Sequence, residues 1–315
     1  MARHNKTGWA ADATETEGFV SSLPALYGDQ LEGLPFDRDK SAWPFRHLVR
    51  SLAGSKHIKG GRLQSINQGN VGSCVGCMGS RVADLVAAAD IHQRHEPERW
   101  PTDQAGRPII SSPEYCYGAS RQVVDALGRW DGSTGSSMAR ALKEIGTAYQ
   151  KTYSSTDLTR YSAARARSFA RRGVPEPVLA AAREHPFRAS VRVESRDQAV
   201  ALLQNGYAVG ICSGLAFSSR RDRDGFARRV RPGWSHAMTI AGYLAGTKPG
   251  FLVLNSWGAW NSGGAGLLED MPVGGFLAHW SDLAGVLRPG SDCFSYGGFR
   301  GFAASPFNWE GGLGW

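Results

Sequence analysis

Beyond Gly206 the hydrophobic period of this chain shortens, and that change restricts the folds open to it more than any other feature. Upstream, apolar residues recur at helical spacing. Val82, Leu85, Val86 and Ala89 fall at i, i+3, i+4 and i+7, which predicts a helix from Cys74 to about His95. ISSPEYCYGASRQVVDAL predicts a second helix starting after Pro113, and SSMARALKEIG a third, capped by Ser136 or Ser137 and stopped by Gly146. SAARARSFARR, PEPVLAAAREH and SRDQAVALLQNG continue the helical pattern, the last with Ser195 as N-cap and Gly206 as C-cap. Downstream, YAVGICSG, HAMTIAGYL and GFLVLNSW are short apolar runs bounded by Gly, Pro and Ser, as in buried strands of an antiparallel sheet; the last two read as a hairpin. Helices first and strands last define an α+β chain, with a helical lobe over about residues 63–150 and a β lobe over about 190–286.

The two ends differ from this middle. Residues 1–62 are polar and carry Trp9, Phe19, Tyr27, Phe36, Trp43 and Phe45 without a clean period, which predicts an irregular extension wrapped over a surface. Residues 287–315 form a Gly- and aromatic-rich tail, also without a period. No run of about 18 apolar residues occurs, and the start MARHNKTGWAADATETEG lacks the apolar core of a secretory signal, so the expectation is a cytoplasmic or virion-associated protein with no membrane partner. Five cysteines leave at least one unpaired in a monomer and point to a reducing compartment. The net charge of +8 gathers in RARSFARR and SRRDRDGFARRVR. Acidic residues interrupt the second patch and no aromatics interleave, so these read as solvated faces and not as a nucleic-acid surface.

Chemistry concentrates at three positions. Cys74 opens the long helix, His236 begins the first strand of the hairpin and Asn255 ends the second. The start of one hairpin strand lies beside the end of the next, so His236 and Asn255 are expected to be neighbours. A thiol attacks a carbonyl as thiolate, and a helix N-terminus and an imidazolium both lower its pKa. The imidazole needs its other nitrogen held, which an amide oxygen on Asn255 would do, and a developing oxyanion needs fixed donors, which the Gln68 side chain and the Cys74 N–H would supply. Cys74 and Cys77 also form a C-x-x-C, but zinc would need further ligands and neither a second C-x-x-C nor an H-x-x-x-H is present. No metal or cofactor is therefore expected. Cys77, Cys116 and Cys212 read as core residues, and His57, His92, His95, His185 and His279 as surface or helix-end residues.

At these landmarks the sequence resembles the papain-like cysteine peptidases. Gln68-Gly-Asn-Val-Gly-Ser-Cys74 resembles the family's Gln-Gly-x-x-Gly-Ser-Cys, Ser235-His236-Ala237 its strand-initial His-Ala, and Asn255-Ser-Trp-Gly its Asn-Ser-Trp-Gly, in the same chain order and over roughly residues 60–285. The resemblance implies a two-lobe papain-like fold of prokaryotic or phage type. It also implies Cys74 as nucleophile, His236 as general base and acid, Asn255 as its orienter, Gln68 as oxyanion donor and Trp257 as a shield over the His–Asn bond, with Gly72 and Ser73 shaping the turn. Val75 stands where the family usually has an aromatic, Val71 where secreted members have a disulfide cysteine, and AWNSGGAGLLED departs from the usual continuation after the Asn-Ser-Trp-Gly. No inhibitory propeptide motif is recognisable in residues 1–60, though that segment has the length to cover a cleft. Two functions follow as expectations: a cysteine peptidase acting on a peptide or protein substrate, or a component of a phage or viral particle or other large assembly, active or not, whose partners hold the polar and Gly-rich ends.

Overall fold

A computed structural model describes residues 8–23, 34, 36–95 and 97–299 of the chain. Eight α-helices are defined among them: α1 Ala13–Ser21, α2 Phe45–Ser51, α3 Cys74–Arg94, α4 Pro113–Gln122, α5 Gly135–Glu144, α6 Ala163–Arg172, α7 Glu176–Ala182 and α8 Arg196–Gln204. Helix α3 is the axis of the molecule. Its predicted apolar stripe understates its burial, since Ser80, Arg81, Asp84 and Asp90 on its other faces are buried as well. The polar ones are used structurally: Asp84 Oδ1 accepts the Ser111 N–H at 2.9 Å, and Arg81 Nη2 donates to the Gln64 carbonyl at 3.1 Å. Gly76 allows this enclosure, because a Cβ there would lie 2.5 Å from the Tyr117 nitrogen and 2.6 Å from the Pro113 carbonyl of α4.

Eight strands of four or more residues follow: β1 Phe187–Arg192, β2 Val209–Ser213, β3 Ala216–Arg221, β4 Ala227–Val230, β5 His236–Leu244, β6 Gly250–Leu254, β7 Gly275–His279 and β8 Phe294–Phe299. Six of them form one antiparallel sheet in the order β7-β6-β5-β2-β8-β1, while β3 and β4 make a separate hairpin. The expected hairpin is β5–β6, pairing Leu244 with Gly250 and Thr239 with Leu254 across one register shift. Strand β5 is buried from His236 to Tyr243 because α3 packs on the sheet over it.

Several local expectations are corrected. Residues 1–62 are not irregular throughout, since α1 and α2 lie within them. The Gly- and aromatic-rich tail contributes β8, inserted between β2 and β1; FSYGGF has too few side chains for a period to show, and its partners lie far upstream. Helix α5 is capped two or three residues earlier than expected, by Thr134, whose hydroxyl accepts from the Ser137 N–H. Ser195 caps α8 as predicted, but the C-cap is Asn205, with Gly206 following at φ +92°. Strands β1, β3, β4 and β7 carry too little unbroken hydrophobicity to stand out in the sequence. Tyr27 and residues 300–315 lie outside the described residues. Among the described residues, no helix is long and apolar enough to cross a membrane.

Candidate active site

The turn before α3 aims that helix at the sheet. Tyr161 Oη donates to the Gln68 carbonyl at 3.0 Å and therefore accepts from Ser73 Oγ at 2.8 Å. Ser73, the residue in the N-cap position, thus makes no side-chain cap. The first-turn N–H groups of α3 stay available, and those of Cys74 and Val75 act on the Cys74 sulfur together with the backbone N–H of Ala237 at the start of β5. Gly72 donates its N–H to Asp131 Oδ2 at 2.8 Å, and Asp131 Oδ1 accepts from Tyr117 Oη at 2.5 Å, which ties the turn to α4. Gln68 is held at both ends: its Oε1 accepts from Ser256 Oγ at 2.6 Å and its Nε2 donates one hydrogen to the Val71 carbonyl at 2.9 Å, leaving the second amide hydrogen. Backbone bonds from Gln68 N–H to the Ser256 carbonyl and from Gly258 N–H to the Ile66 carbonyl join the two turns, so the helical and sheet parts meet at these residues.

On the sheet side, His236 Nε2 and Asn255 Oδ1 lie 2.9 Å apart. The amide orientation follows from fixed backbone groups. Asn261 Nδ2 donates to the Ser218 carbonyl at 2.9 Å, so its Oδ1 faces Asn255 Nδ2 at 3.0 Å, and Asn255 Oδ1 is left for His236 and for the Ser256 N–H at 2.7 Å. An acceptor on Nε2 places the proton there and leaves Nδ1 as the basic nitrogen. Trp257 lies against the imidazole with ring centroids 4.4 Å apart, and Trp234 and Trp260 close round Trp257 at 4.6 and 5.1 Å. The sequence reading missed Asn261, Trp234, Trp260 and Tyr161. Asn261 and Trp260 sit in the segment after Asn-Ser-Trp-Gly that departs from the family pattern, where a second Asn and a second Trp were the available signal.

The sulfur is not open to solvent. Residues 8–10 cross it as a strap: Gly8 and Trp9 N–H both donate to the Ser235 carbonyl at 3.1 and 3.3 Å, Ser133 N–H donates to the Gly8 carbonyl at 3.0 Å, and Ala10 N–H donates to the Ser133 carbonyl at 2.9 Å. A Cβ on Gly8 would lie 2.6 Å from Cys74 Sγ and 2.8 Å from the Gly72 carbonyl, so only glycine passes here. The Gly8 carbonyl is taken by Ser133 and not by the donors at Cys74, so no scissile geometry exists at this peptide. Helix α1 anchors the strap through Phe19, edge-on to Phe294 at 5.8 Å, and through Glu17 with Arg192 at 2.6 Å.

This cover corrects the expected electrostatics. A thiolate–imidazolium pair was anticipated, yet burial pushes the Cys74 thiol up to about 12 against the backbone N–H groups that lower it, and burial pushes His236 down to about 4 against the Asn255 bond. In the closed cleft both partners are neutral. All five cysteines are free and buried, and no cluster of three or more metal-ligating side chains occurs among the described residues.

No protein-family model matches the sequence, and no curated protein matches it. Solved structures do. Xylellain, a cysteine protease from Xylella fastidiosa, is similar with a TM-score of 0.54 at 15% identity, covering 94% of this chain and 98% of its own. The procathepsin B S9 of Trypanosoma congolense gives 0.53 at 12% identity, covering 93% of this chain and 85% of its own. At such identities the likeness is one of fold: the chain has the two-lobe α+β fold of the papain-like cysteine proteases. Neither structure speaks for the assembly-component expectation.

Proposed function

We propose that this protein is a cysteine peptidase, dormant while residues 8–21 cover its cleft. Cys74 attacks the peptide carbonyl as thiolate, His236 Nδ1 takes and returns the proton, Asn255 holds the imidazole through Nε2, and the Cys74 N–H with the free hydrogen of Gln68 Nε2 stabilises the oxyanion. The leaving amine takes the proton from His236, and water then releases the acyl group. The observation that carries this reading is the fixed His236–Asn255 pair at 2.9 Å, on the strand whose next residue, Ala237, turns its N–H to the Cys74 sulfur at an uncapped helix start. Displacing the strap would rehydrate both groups and let their pKa values approach each other, which makes the ion pair accessible. Division into a helical part over residues 63–150 and a β part over 190–286 is kept as part of this proposal, with the β part widened to take in β1 from Phe187 and β8 at Phe294–Phe299.

The test is a thiol-directed epoxide with a denatured protein substrate, applied to the Gly8→Ala chain, whose strap cannot seat over the sulfur. Selective labelling of Cys74 and cleavage of the substrate are expected, both lost on adding His236→Ala. Labelling no faster than that of an ordinary thiol, together with no cleavage, overturns the reading.

A further inference from the structure

Cys77 stands one turn along α3 from Cys74 and is the half of the C-x-x-C that the proposed chemistry leaves unused. It is free and buried, as Cys74 is. On an α-helix, residues three apart have Cα atoms about 5 Å from one another, inside the span of about 4.4–6.8 Å that a disulfide bridges. Helical side chains lean back toward the N-terminus of their helix, so Cys77 leans over the turn that Cys74 opens. Two observations agree with that direction: the Cys77 thiol hydrogen-bonds with the Ser73 side chain, and a charge on Cys74 acts on it more strongly than any other charge. Cys212 on β2 also feels Cys74, but less than it feels Asp292 and Cys293.

Closing a bridge draws the two Cβ atoms together from about 5–6 Å to about 4 Å. The first turn of α3 can give that much, because its N–H groups have no intrahelical partners and Ser73 before it, at φ −91° and ψ 18°, already departs from helical geometry. A small cavity of about 20 Å³ borders Cys77, Met78 and Thr239, so the packing there can yield. In the closed cleft the pair is inert, since burial holds the Cys74 thiol up at about 12 and pushes Cys77 up as well. With the strap lifted, the ionised sulfur that attacks a peptide is equally open to a peroxide.

We propose that Cys74 and Cys77 form a reversible oxidative modification site, with a hydroperoxide as its substrate and Cys77 as the resolving thiol. This rests on the peptidase reading above only for the opened, ionised state of Cys74. The Cys74 thiolate attacks one oxygen of the hydroperoxide and the O–O bond breaks. The other oxygen leaves with a proton, as an alcohol or, from hydrogen peroxide, as water, and the sulfur becomes a sulfenic acid, oxidised by two electrons. Cys77 Sγ then attacks the sulfenic sulfur, the S–O bond breaks, and hydroxide leaves as water with the proton that Cys77 gives up. The disulfide silences the nucleophile, stops its further oxidation to sulfinic acid, and is undone by an external dithiol, which supplies two electrons and two protons.

The test applies hydrogen peroxide to the Gly8→Ala chain, then alkylates the remaining thiols and digests with trypsin. Residues 63–81 carry both cysteines in one fragment, because Arg62 and Arg81 are consecutive cleavage sites. That fragment is expected to lose about 2 Da and to escape alkylation at both cysteines while epoxide labelling of Cys74 is abolished; dithiothreitol is expected to restore mass and labelling. With Cys77→Ser added, the same treatment is expected to leave Cys74 about 32 Da heavier as sulfinic acid, and dithiothreitol to restore nothing. Sulfinic acid at Cys74 beside a free Cys77, a bridge from Cys74 to Cys212, or no oxidation at a dose that oxidises free cysteine overturns the proposal, and none of these outcomes needs the Cys77 variant. Cleavage of the denatured protein substrate alongside any of them spares the peptidase reading. A Cys74–Cys77 bridge in a chain that cleaves nothing upholds the modification site and overturns the peptidase reading.

Discussion

Cys74 at the start of α3 and His236 at the start of β5 are held in opposite ways. The imidazole is oriented by side chains, since Asn255 is fixed by Asn261, Asn261 by the Ser218 carbonyl, and the ring is flanked by Trp257. The sulfur meets backbone, with N–H groups of Cys74, Val75 and Ala237 on one side and Gly8 on the other. Side chains fix a geometry permanently, whereas a strap of backbone can be lifted. On the proposed peptidase reading, the imidazole is fixed by its neighbours and access to the sulfur is set by what covers it.

Experiments that break this contrast rank by size. The largest expected effect is on the proposed oxyanion donor: in the Gly8→Ala chain, Gln68→Ala should lower kcat/KM by about 10²–10³-fold, read as initial rates on one peptide. Gly8→Ala alone should raise the rate of Cys74 alkylation at neutral pH by about tenfold or more, because the added methyl cannot share space with Sγ, and the labelling pH profile should move down from a thiol near 12. An unchanged rate would mean that the strap is not what closes the sulfur. In the same Gly8→Ala chain, Asn261→Ala should cost about tenfold in kcat with KM little changed, since Asn255 then loses one of the two partners that select its amide orientation; an unaltered kcat would reduce Asn261 to packing.

The smallest effect is on stability. The folded pKa of His236, about 4, lies below its ordinary 6.5, so the unfolded chain binds more protons between these values. The stability due to this neutral imidazole is present above pH 6.5 and lost as pH falls toward 4, by at most about 3 kcal/mol. His47 at about 4 and His57 at about 3 act in the same sense, while Asp84, raised to about 7, acts in the opposite one. The test is thus a difference: in denaturant titrations, His236→Asn should lose less stability than the parent between pH 6.5 and 4, and parallel curves would contradict the burial assigned to the ring.

How much of this could be read from the chain depends on how local each signal is. Cys74, His236 and Asn255 were legible because a helix start and the ends of two hairpin strands are set by neighbours in sequence, and Gln68 because it precedes Cys74 in the same turn. Asn261 was not, since its role needs the Ser218 carbonyl of another hairpin. Asp292, which ties Trp9 and α1 to the start of α5, was not, since its partners are Trp9, Thr16, Gly135 and Ser136. Helix α1 holds few apolar residues and declares itself only by docking Phe19 on Phe294.

Sequence alone determined where a thiol, an imidazole and an amide would stand, because periodicity and turn residues act over a few positions. The tertiary structure decided the protonation of that thiol and that imidazole, because a pKa follows the burial of the group, and the burial here comes from a glycine at position 8 and from packing between segments far apart in the chain.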